Sequence, residues 1–158
     1  MNIGDEMYQL AKELFPIDRS LTGEGVRQTL AVLHRELPDL TVHEVPSGTR
    51  VFDWTVPKEW AVRQAYIEDE QGNRIIDYKD LNLHVMGYSS PVDRWVDLNE
   101  LKQHIYVQKG QPDAVPYVTS YYVPRYGFCM SENQRDRLTP GQYHMVIDSE
   151  LFDGSLNY

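Results

Sequence analysis

Apolar side chains recur at helical spacing in two segments near the start of the chain, residues 7–14 and 26–37. Positions 3, 4 and 7 apart share one face of a helix, so each segment predicts an amphipathic helix. Pro16 and Pro38 follow the two segments and end them, because proline cannot continue a helix. Thr22 has the residue type and position of an N-cap for the second helix.

Beyond Pro38 the pattern changes to an alternation of apolar and polar residues, which is typical of β-strands. The turn at 70–73 predicts a hairpin over 61–78, and Asp97 and Ser131 have the positions of helix N-caps. Strands are predicted over 40–45, 49–56, 83–86, 117–123, 126–130 and 142–149, and again after the turn dipeptide Asp153-Gly154, with one helix at about 98–105. The sequence therefore predicts an α+β protein: two N-terminal helices followed by mainly antiparallel β-structure.

Charge and composition exclude several classes of protein. The 158 residues contain 15 Lys and Arg against 24 Asp and Glu, a net charge of −9. Such a chain lacks the basic surface that nucleic acids or acidic membranes require, and no apolar run reaches the roughly 20 residues of a membrane span. A single cysteine, Cys129, cannot form an internal disulfide, so we expect a cytoplasmic protein.

The sequence offers no metal-ligand motif and no activated nucleophile. The five histidines, at 34, 43, 84, 104 and 144, form no His-x-x-x-His or His-Glu-x-x-His pattern. Cys129 lies in an apolar strand with no basic neighbour beyond Arg125 to lower its pKa, so it is predicted to be a small buried hydrophobe. We therefore predict neither catalytic residues nor metal ligands in this chain.

Three short segments suggest binding. Arg19, Ser20 and Thr22 join the two helices, where a guanidinium near free amides suits an anionic group; a capped turn is the alternative. Residues 116–128 contain five aromatic residues and Arg125. This segment could line a recognition groove, or it could be a strand that packs aromatic side chains on both faces. Asp53 precedes Trp54 in an apolar stretch, where a carboxylate needs a partner such as Arg19 or an opening to water. The pocket candidates are Arg19, Ser20, Thr22, Asp53, Trp54 and Arg125.

These segments belong to a set of long motifs: LFPIDRSLTGEGVRQTL, HEVPSGTRVFDWTVPKEW, PYVTSYY, RYGFCMS and VIDSELFDGSLNY. In this order they resemble bacterial aminopeptidase-like proteins of the co-catalytic zinc exopeptidase type, in which a domain of formerly unknown function interrupts the peptidase domain. The resemblance covers nearly the whole chain. Asp18 stands where family members often have Cys.

The resemblance implies a domain layout and a role. Residues 1–48 would belong to an α/β peptidase-like domain, 49–148 to the inserted β-rich domain, and 149–158 to the return into the peptidase-like domain, truncated at Tyr158. No residue here matches the family's zinc ligands. The chain would supply framework and pocket walls to a hydrolase of peptide or aminoacyl substrates. Zinc would belong to the complete protein, the remaining peptidase-like domain would be its partner, and the chain alone is expected to be inactive.

A second hypothesis is a stand-alone, non-catalytic module that binds a protein or a glycan through its sheet and aromatic residues. The reading frame after Tyr158 separates the two hypotheses: a His motif and paired acidic residues favour the hydrolase, whereas a stop codon favours the module. Self-association is open in both.

Overall fold

The computed structural model describes residues 2–158, which form two compact units. The first unit contains residues 2–60 and 151–158, and the second contains residues 61–150. Both combine helices with β-structure, in agreement with the predicted α+β class. The predicted domains of the complete protein, divided at 48/49 and 148/149, stay a prediction. Within residues 2–158, no helix is long and apolar enough to cross a membrane.

The first unit begins with the two predicted helices, α1 (Ile3–Leu14) and α2 (Glu24–Glu36), which confirms both. Asn2 caps α1: its side chain accepts a hydrogen bond from the backbone N–H of Asp5 at 3.0 Å. The prediction that Thr22 caps α2 is wrong, because Gly23 is the N-cap and no side chain caps this helix. The Thr22 hydroxyl instead donates to the carbonyl of Lys58 at 3.3 Å.

Gly25 allows α2 to begin close to the preceding chain. A Cβ atom at this position would lie 1.7 Å from the carbonyl oxygen of Asp18, well inside contact distance. Only glycine permits this approach. Gly25 is thus required by the close packing at the start of this helix.

The strands of the first unit are short. β1 (Glu44–Pro46) pairs antiparallel with β10 (Ser155–Asn157), and β2 (Arg50–Val51) pairs with β3 (Trp54–Thr55). The predicted strand over 49–56 is therefore wrong, since the chain reverses at Phe52 and Asp53. The predicted strand over 40–45 is confirmed only at its end.

Local sequence signals mislead at two turns of this unit. Phe52 has the apolar character of a strand residue, yet it lies in the turn with a φ of 55° and is 93% exposed. The strand predicted after Asp153-Gly154 is confirmed as β10, but it pairs with β1 across the unit and not with the strand that precedes the turn. Strand partners distant in sequence carry no local signal.

The second unit is built on a four-stranded sheet with the order β5-β4-β9-β6. Its strands are β4 (Glu59–Asp69), β5 (Arg74–Asp77), β6 (Val92–Asp97) and β9 (Gln142–Phe152). β4 and β5 form the predicted hairpin, and the carboxylate of Asp69 accepts hydrogen bonds from the backbone N–H groups of Gln71 and Asn73 in its turn. The first two residues of β4 and the last two of β9 belong to the first unit.

One face of this sheet carries the core of the second unit. The side chains on this face alternate with polar ones along each strand, as the pleat requires. The core residues from the sheet are Ala65, Ile67, Ile76, Val96, Met145 and Ile147, all at most 3% exposed. The opposite face carries polar and aromatic side chains.

The remaining elements of the second unit are short. α3 (Leu98–Gln103) is capped by Asp97, and α4 (Glu132–Asp136) begins with a capping box of Ser131, which confirms both predicted caps. β7 (Ile105–Tyr106) pairs in parallel with β8 (Phe128–Cys129).

Two predicted strands in this unit are wrong. The segment 83–86 contains most of a 3₁₀ helix at Asn82–His84. Residues 117–123 form no strand, because Tyr122 has a φ of 62° and the Ser120 hydroxyl donates to the carbonyl of Val123 at 2.6 Å in a local turn.

Candidate functional site

The polar face of the four-stranded sheet holds a dense group of titratable and aromatic side chains in the second unit. We call it the sheet-face cluster; it consists of Tyr66, Glu68, Arg74, Asp93, Trp95 and His144. Residues two apart on a strand share a face, which places Asp93 beside Trp95 on β6. The β6–β9 register sets Trp95 directly opposite His144.

His144 is bound by a carboxylate at each ring nitrogen. Its Nδ1 lies 3.0 Å from Oε1 of Glu68, and its Nε2 lies 2.7 Å from Oδ1 of Asp93. An ionised carboxylate only accepts hydrogen bonds, so both nitrogens must carry protons to satisfy both contacts. Burial lowers the pKa of His144, but the hydrogen bonds and negative charges of Glu68 and Asp93 outweigh it. The net effect raises the pKa above its ordinary value of 6.5.

Aromatic rings surround the imidazole. The indole of Trp95 stacks on it, with ring centroids 4.8 Å apart and an 8° angle between planes, while Tyr66 approaches edge-on at 6.0 Å. The Arg74 guanidinium lies 3.1 Å from the centroid of the Tyr66 ring and pairs with Glu68 at 3.2 Å. Trp95 is nevertheless 49% exposed, so part of the indole meets solvent.

A groove of about 360 Å³ lies beside the cluster and shares Asp93 with it. Its lining also includes the amide of Gln64 and the carboxylate of Asp148, which accepts hydrogen bonds from Nε and Nη2 of Arg63 at 3.0 and 2.6 Å. The groove thus combines hydrogen-bonding groups with a neighbouring exposed indole. Such a combination suits a hydroxyl-rich ligand, because the ring covers an apolar face while amide and carboxylate groups bind hydroxyls.

The described residues, 2–158, bring no three histidine, cysteine or acidic side chains together as metal ligands. In the sheet-face cluster the two carboxylates bind opposite nitrogens of one ring, so their oxygens do not converge on a common point with an imidazole nitrogen. These residues do not fit a zinc site.

Cys129 is buried, in agreement with its predicted role in packing. The residue is 0% exposed, and burial raises the pKa of its thiol to about 12. A thiol with this pKa is not a nucleophile at neutral pH.

The first unit contains five of the six predicted pocket residues. Nη1 of Arg19 donates to the carbonyl of Leu14 at 2.7 Å, so this guanidinium satisfies the C-terminal end of α1. The alternative pairing of Arg19 with Asp53 is wrong, since no ion pair or hydrogen bond joins them. Ser20 is half-buried and Thr22 is buried.

The two other candidates of the first unit lie in the β2–β3 hairpin. Asp53 is exposed in the turn, so its carboxylate has the opening to water that the sequence predicts when no partner is present. Trp54 is half-buried. Whether any of these five residues faces a substrate pocket stays a prediction.

Arg125, the sixth candidate, lies in the second unit and organises the aromatic segment. Its Nε donates to the hydroxyl of Ser120 at 2.9 Å, and Nη2 lies 3.5 Å from the carbonyl of Thr119. Tyr117 and Tyr122 are 62% and 59% exposed, so the packed strand proposed as one alternative is wrong. The recognition groove stays a prediction.

Sequence reasoning missed an ion pair at the centre of the first unit. Glu59 is 2% exposed, and its carboxylate oxygens accept hydrogen bonds from Nη1 and Nη2 of Arg27 at 2.8 and 2.9 Å. The backbone N–H of Ser155 donates to the same carboxylate at 2.9 Å. A Cβ atom on Gly154 would lie 2.3 Å from this carboxylate, so the glycine of the turn dipeptide makes room for the pair.

Comparison with known proteins places the chain in a family. Residues 59–150 match the family described as Domain of unknown function (DUF2172), and the chain belongs to this family. The matched segment starts with β4 and ends with the second unit.

A relative from Clostridium acetobutylicum is 50% identical over 155 residues, which cover 98% of this chain and 36% of the relative. It carries the provisional name of polysaccharide biosynthesis protein with aminopeptidase-like domain. A crystal structure at 2.37 Å of a protein from the same species, provisionally described as a peptidase, matches with a TM-score of 0.92 and 50% identity over 98% of this chain and 36% of that one. These likenesses support a peptidase-like family, and the chain spans about a third of the length of these relatives.

Proposed function

We propose that this chain is the N-terminal part of a zinc-dependent aminopeptidase-like hydrolase and supplies framework and pocket walls instead of zinc ligands. The proposal is supported above all by the 50% identity with a relative named for an aminopeptidase-like domain, which extends over 98% of this chain. Nearly two thirds of that relative lies outside the matched segment. In this proposal, residues 49–148 form an insertion and the chain returns to the peptidase-like domain near Ser149.

The first unit has an uncovered apolar surface that fits this role. No residue of α1 or α2 is buried, although both helices have an apolar side. Ile3 and Met7 are 73% and 66% exposed and line a groove of about 670 Å³ between polar residues of the two helices. Full burial of each such side chain is favourable by about 1.5–3 kcal/mol of free energy. We propose that the remainder of the peptidase-like domain covers this surface.

Residues 2–158 contain no group of side chains that fits zinc, so in this proposal the metal ligands belong to the remainder of the enzyme. The contribution of this chain is to shape a pocket for a peptide or aminoacyl substrate. Arg19, Ser20, Thr22, Asp53, Trp54 and Arg125 are the residues proposed for its walls. We further propose that the enzyme is cytoplasmic.

The test uses the product of the full reading frame that contains this segment. We expect it to bind stoichiometric zinc by elemental analysis and to hydrolyse aminoacyl 4-nitroanilides, with both properties lost after chelation and regained with zinc. The 158-residue chain is the matched control and is expected to show neither. A reading frame that stops after Tyr158, or a longer product without zinc and turnover, would contradict the proposal.

A second candidate function is a glycan-binding module, favoured by the exposed Trp95 beside the groove that contains Gln64 and Asp93. The relative's provisional name includes polysaccharide biosynthesis. Titration with neutral and amino-sugar oligosaccharides, followed by calorimetry, tests it. Binding that is lost in Trp95→Ala and kept in Tyr122→Ala, another exposed aromatic residue of this unit, would support the module; no binding would exclude these glycans.

A further inference from the structure

We propose that His144 is a pH-sensitive clamp, which in its imidazolium form joins β4, β9 and β6 across the polar face of the sheet and fixes Trp95 above it. The inference is independent of the proposed function, because it rests on contacts within the second unit alone. The three strands supply Glu68, His144 and Asp93.

The geometry requires the charged form of the ring. With Glu68 at 3.0 Å from Nδ1 and Asp93 at 2.7 Å from Nε2, the imidazolium donates one hydrogen bond to each carboxylate. A neutral imidazole keeps only one N–H. Its other nitrogen then presents a lone pair to a carboxylate oxygen, and that contact becomes repulsive. Loss of a single proton therefore releases one of the two carboxylates.

The surrounding charges favour the imidazolium. From β5, Arg74 pairs with Glu68 at 3.2 Å and with Asp77 at 3.3 Å. Glu70, after β4, accepts a hydrogen bond from the backbone N–H of Gln142 at 2.7 Å and adds a further negative charge near the start of β9. Arg63 neutralises Asp148 and Glu150 further along β9.

Across the cluster and its immediate neighbours, acidic groups outnumber the single guanidinium of Arg74. Losing the proton of His144 leaves these negative charges with less compensation.

The direction of the pH effect follows from linkage. Burial lowers the pKa of His144, but the hydrogen bonds and charges of Glu68 and Asp93 raise it by more. The folded-state pKa therefore lies above that of the unfolded chain. A raised pKa means that the clamp's stabilisation is fully present below about pH 6.5, the unfolded value. It is lost as pH rises through the folded-state pKa.

Trp95 provides an optical readout of this titration. An imidazolium stacked on an excited indole quenches its fluorescence by accepting an electron, and a neutral imidazole quenches far less. Since the rings lie parallel with centroids 4.8 Å apart, deprotonation of His144 is expected to increase Trp95 emission. Trp54 and Trp60 also emit, and subtracting the signal of Trp95→Phe removes their contribution.

The decisive experiment is an NMR titration of the side-chain nitrogens of His144 between pH 5 and 9. We expect both nitrogens to be protonated at the acidic end of the titration, with a pKa above the ordinary value that shifts down in Asp93→Asn. Asp113→Asn, a control in the same unit whose acidic group contacts Asn133 instead, is expected to leave it unchanged. The Trp95 emission should follow the same transition.

Two results would overturn the clamp. One is a His144 pKa at or below 6.5 in the wild-type protein, which needs no variant to fold. The other is a pKa that is raised but identical in Asp93→Asn, with Trp95 emission independent of pH. His144→Gln gives an independent check by urea unfolding, because the clamp requires the stability gap between this variant and the wild type to shrink from pH 6 to pH 8.5.

Discussion

Removal of Arg27 is expected to destabilise the first unit strongly, because it leaves a buried carboxylate with a single remaining hydrogen bond. The side chain of Glu59 is 3% exposed and receives two hydrogen bonds from Arg27 and one from the backbone N–H of Ser155. In Arg27→Ala the Ser155 bond alone remains. The charge then lies between α2 and the β1–β10 pair without its counter-ion.

The magnitude follows from the exposure of the two partners. Breaking a fully buried ion pair costs about 3–5 kcal/mol. The side chain of Arg27 is 37% exposed, so water screens part of the interaction and partly fills the vacated space, which reduces the expected cost to about 2–3 kcal/mol. Glu59→Gln removes the charge that creates the penalty. The stability lost in the double variant should therefore be smaller than the sum of the losses in the two single variants, by about 1–2 kcal/mol.

The pair also has a defined pH dependence. The hydrogen bonds from Arg27 lower the pKa of Glu59, and although burial acts in the opposite direction the net shift is downward from 4.5. A depressed folded-state pKa contributes stability that is present above the unfolded value and is lost as pH falls through the folded value. The stability difference between wild type and Glu59→Gln should accordingly decrease below about pH 4.5.

Urea unfolding at pH 7 measures these effects. A Trp95→Phe background restricts the fluorescence signal to Trp54 and Trp60, which both belong to the first unit. Arg35→Ala is the matched control, because Arg35 bonds Glu13 on the exposed surface of the same unit and its loss should change nothing measurable. A cost of Arg27→Ala no larger than that of Arg35→Ala would contradict a buried ion pair. The same holds if Glu59→Gln leaves the cost of Arg27→Ala unchanged.

Three further predictions concern single positions. Gly25→Ala should destabilise the protein by about 1–3 kcal/mol in urea unfolding, since its Cβ would overlap the Asp18 carbonyl, whereas Gly4→Ala near the start of α1 should be tolerated; equal effects would contradict the close approach. Phe52→Gly should leave the stability unchanged or raise it by up to about 1 kcal/mol, because it relieves a left-handed conformation and loses no buried surface. A clear loss of thermal stability would instead favour the uninterrupted strand predicted over 49–56. Cys129 should react with Ellman's reagent at pH 8 only after unfolding, because the thiol is buried and its pKa is raised to about 12; rapid labelling of the native protein would show an accessible thiolate.

The elements that the sequence predicts well are those with local signals. Helical spacing with a following proline identified α1 and α2, and the side chains of Asp97 and Ser131 marked the starts of α3 and α4. The hairpin of β4 and β5 carries its own turn. Each of these signals lies within a few residues of the element that it specifies.

The errors occurred where conformation depends on distant contacts or on a left-handed residue. Phe52 and Tyr122 adopt positive φ, which residue type does not indicate for aromatic side chains. The pairing of β10 with β1 joins residues more than 100 positions apart, and the turn at Asp153-Gly154 suggested a local partner instead.

The sheet-face cluster was only partly accessible to sequence reasoning. Alternation places Asp93 and Trp95 on one face of β6, and His144 on the polar side of β9. That Trp95 lies opposite His144 depends on the register of two strands separated by 44 residues, from Asp97 to Gln142, for which the sequence has no local marker. The Arg27–Glu59 pair also lacks a local marker in the sequence, because its two residues are 32 positions apart.

The most direct test of the central claim, that this chain is the framework of a larger peptidase-like protein, is amide hydrogen exchange of α1 and α2. The measurement compares the 158-residue chain with the product of the full reading frame under identical conditions. We expect exchange in both helices to slow at least about tenfold in the longer protein, because the remaining domain covers the side that contains Ile3 and Met7. Equal exchange in the two proteins would show that this surface stays uncovered and would contradict the account.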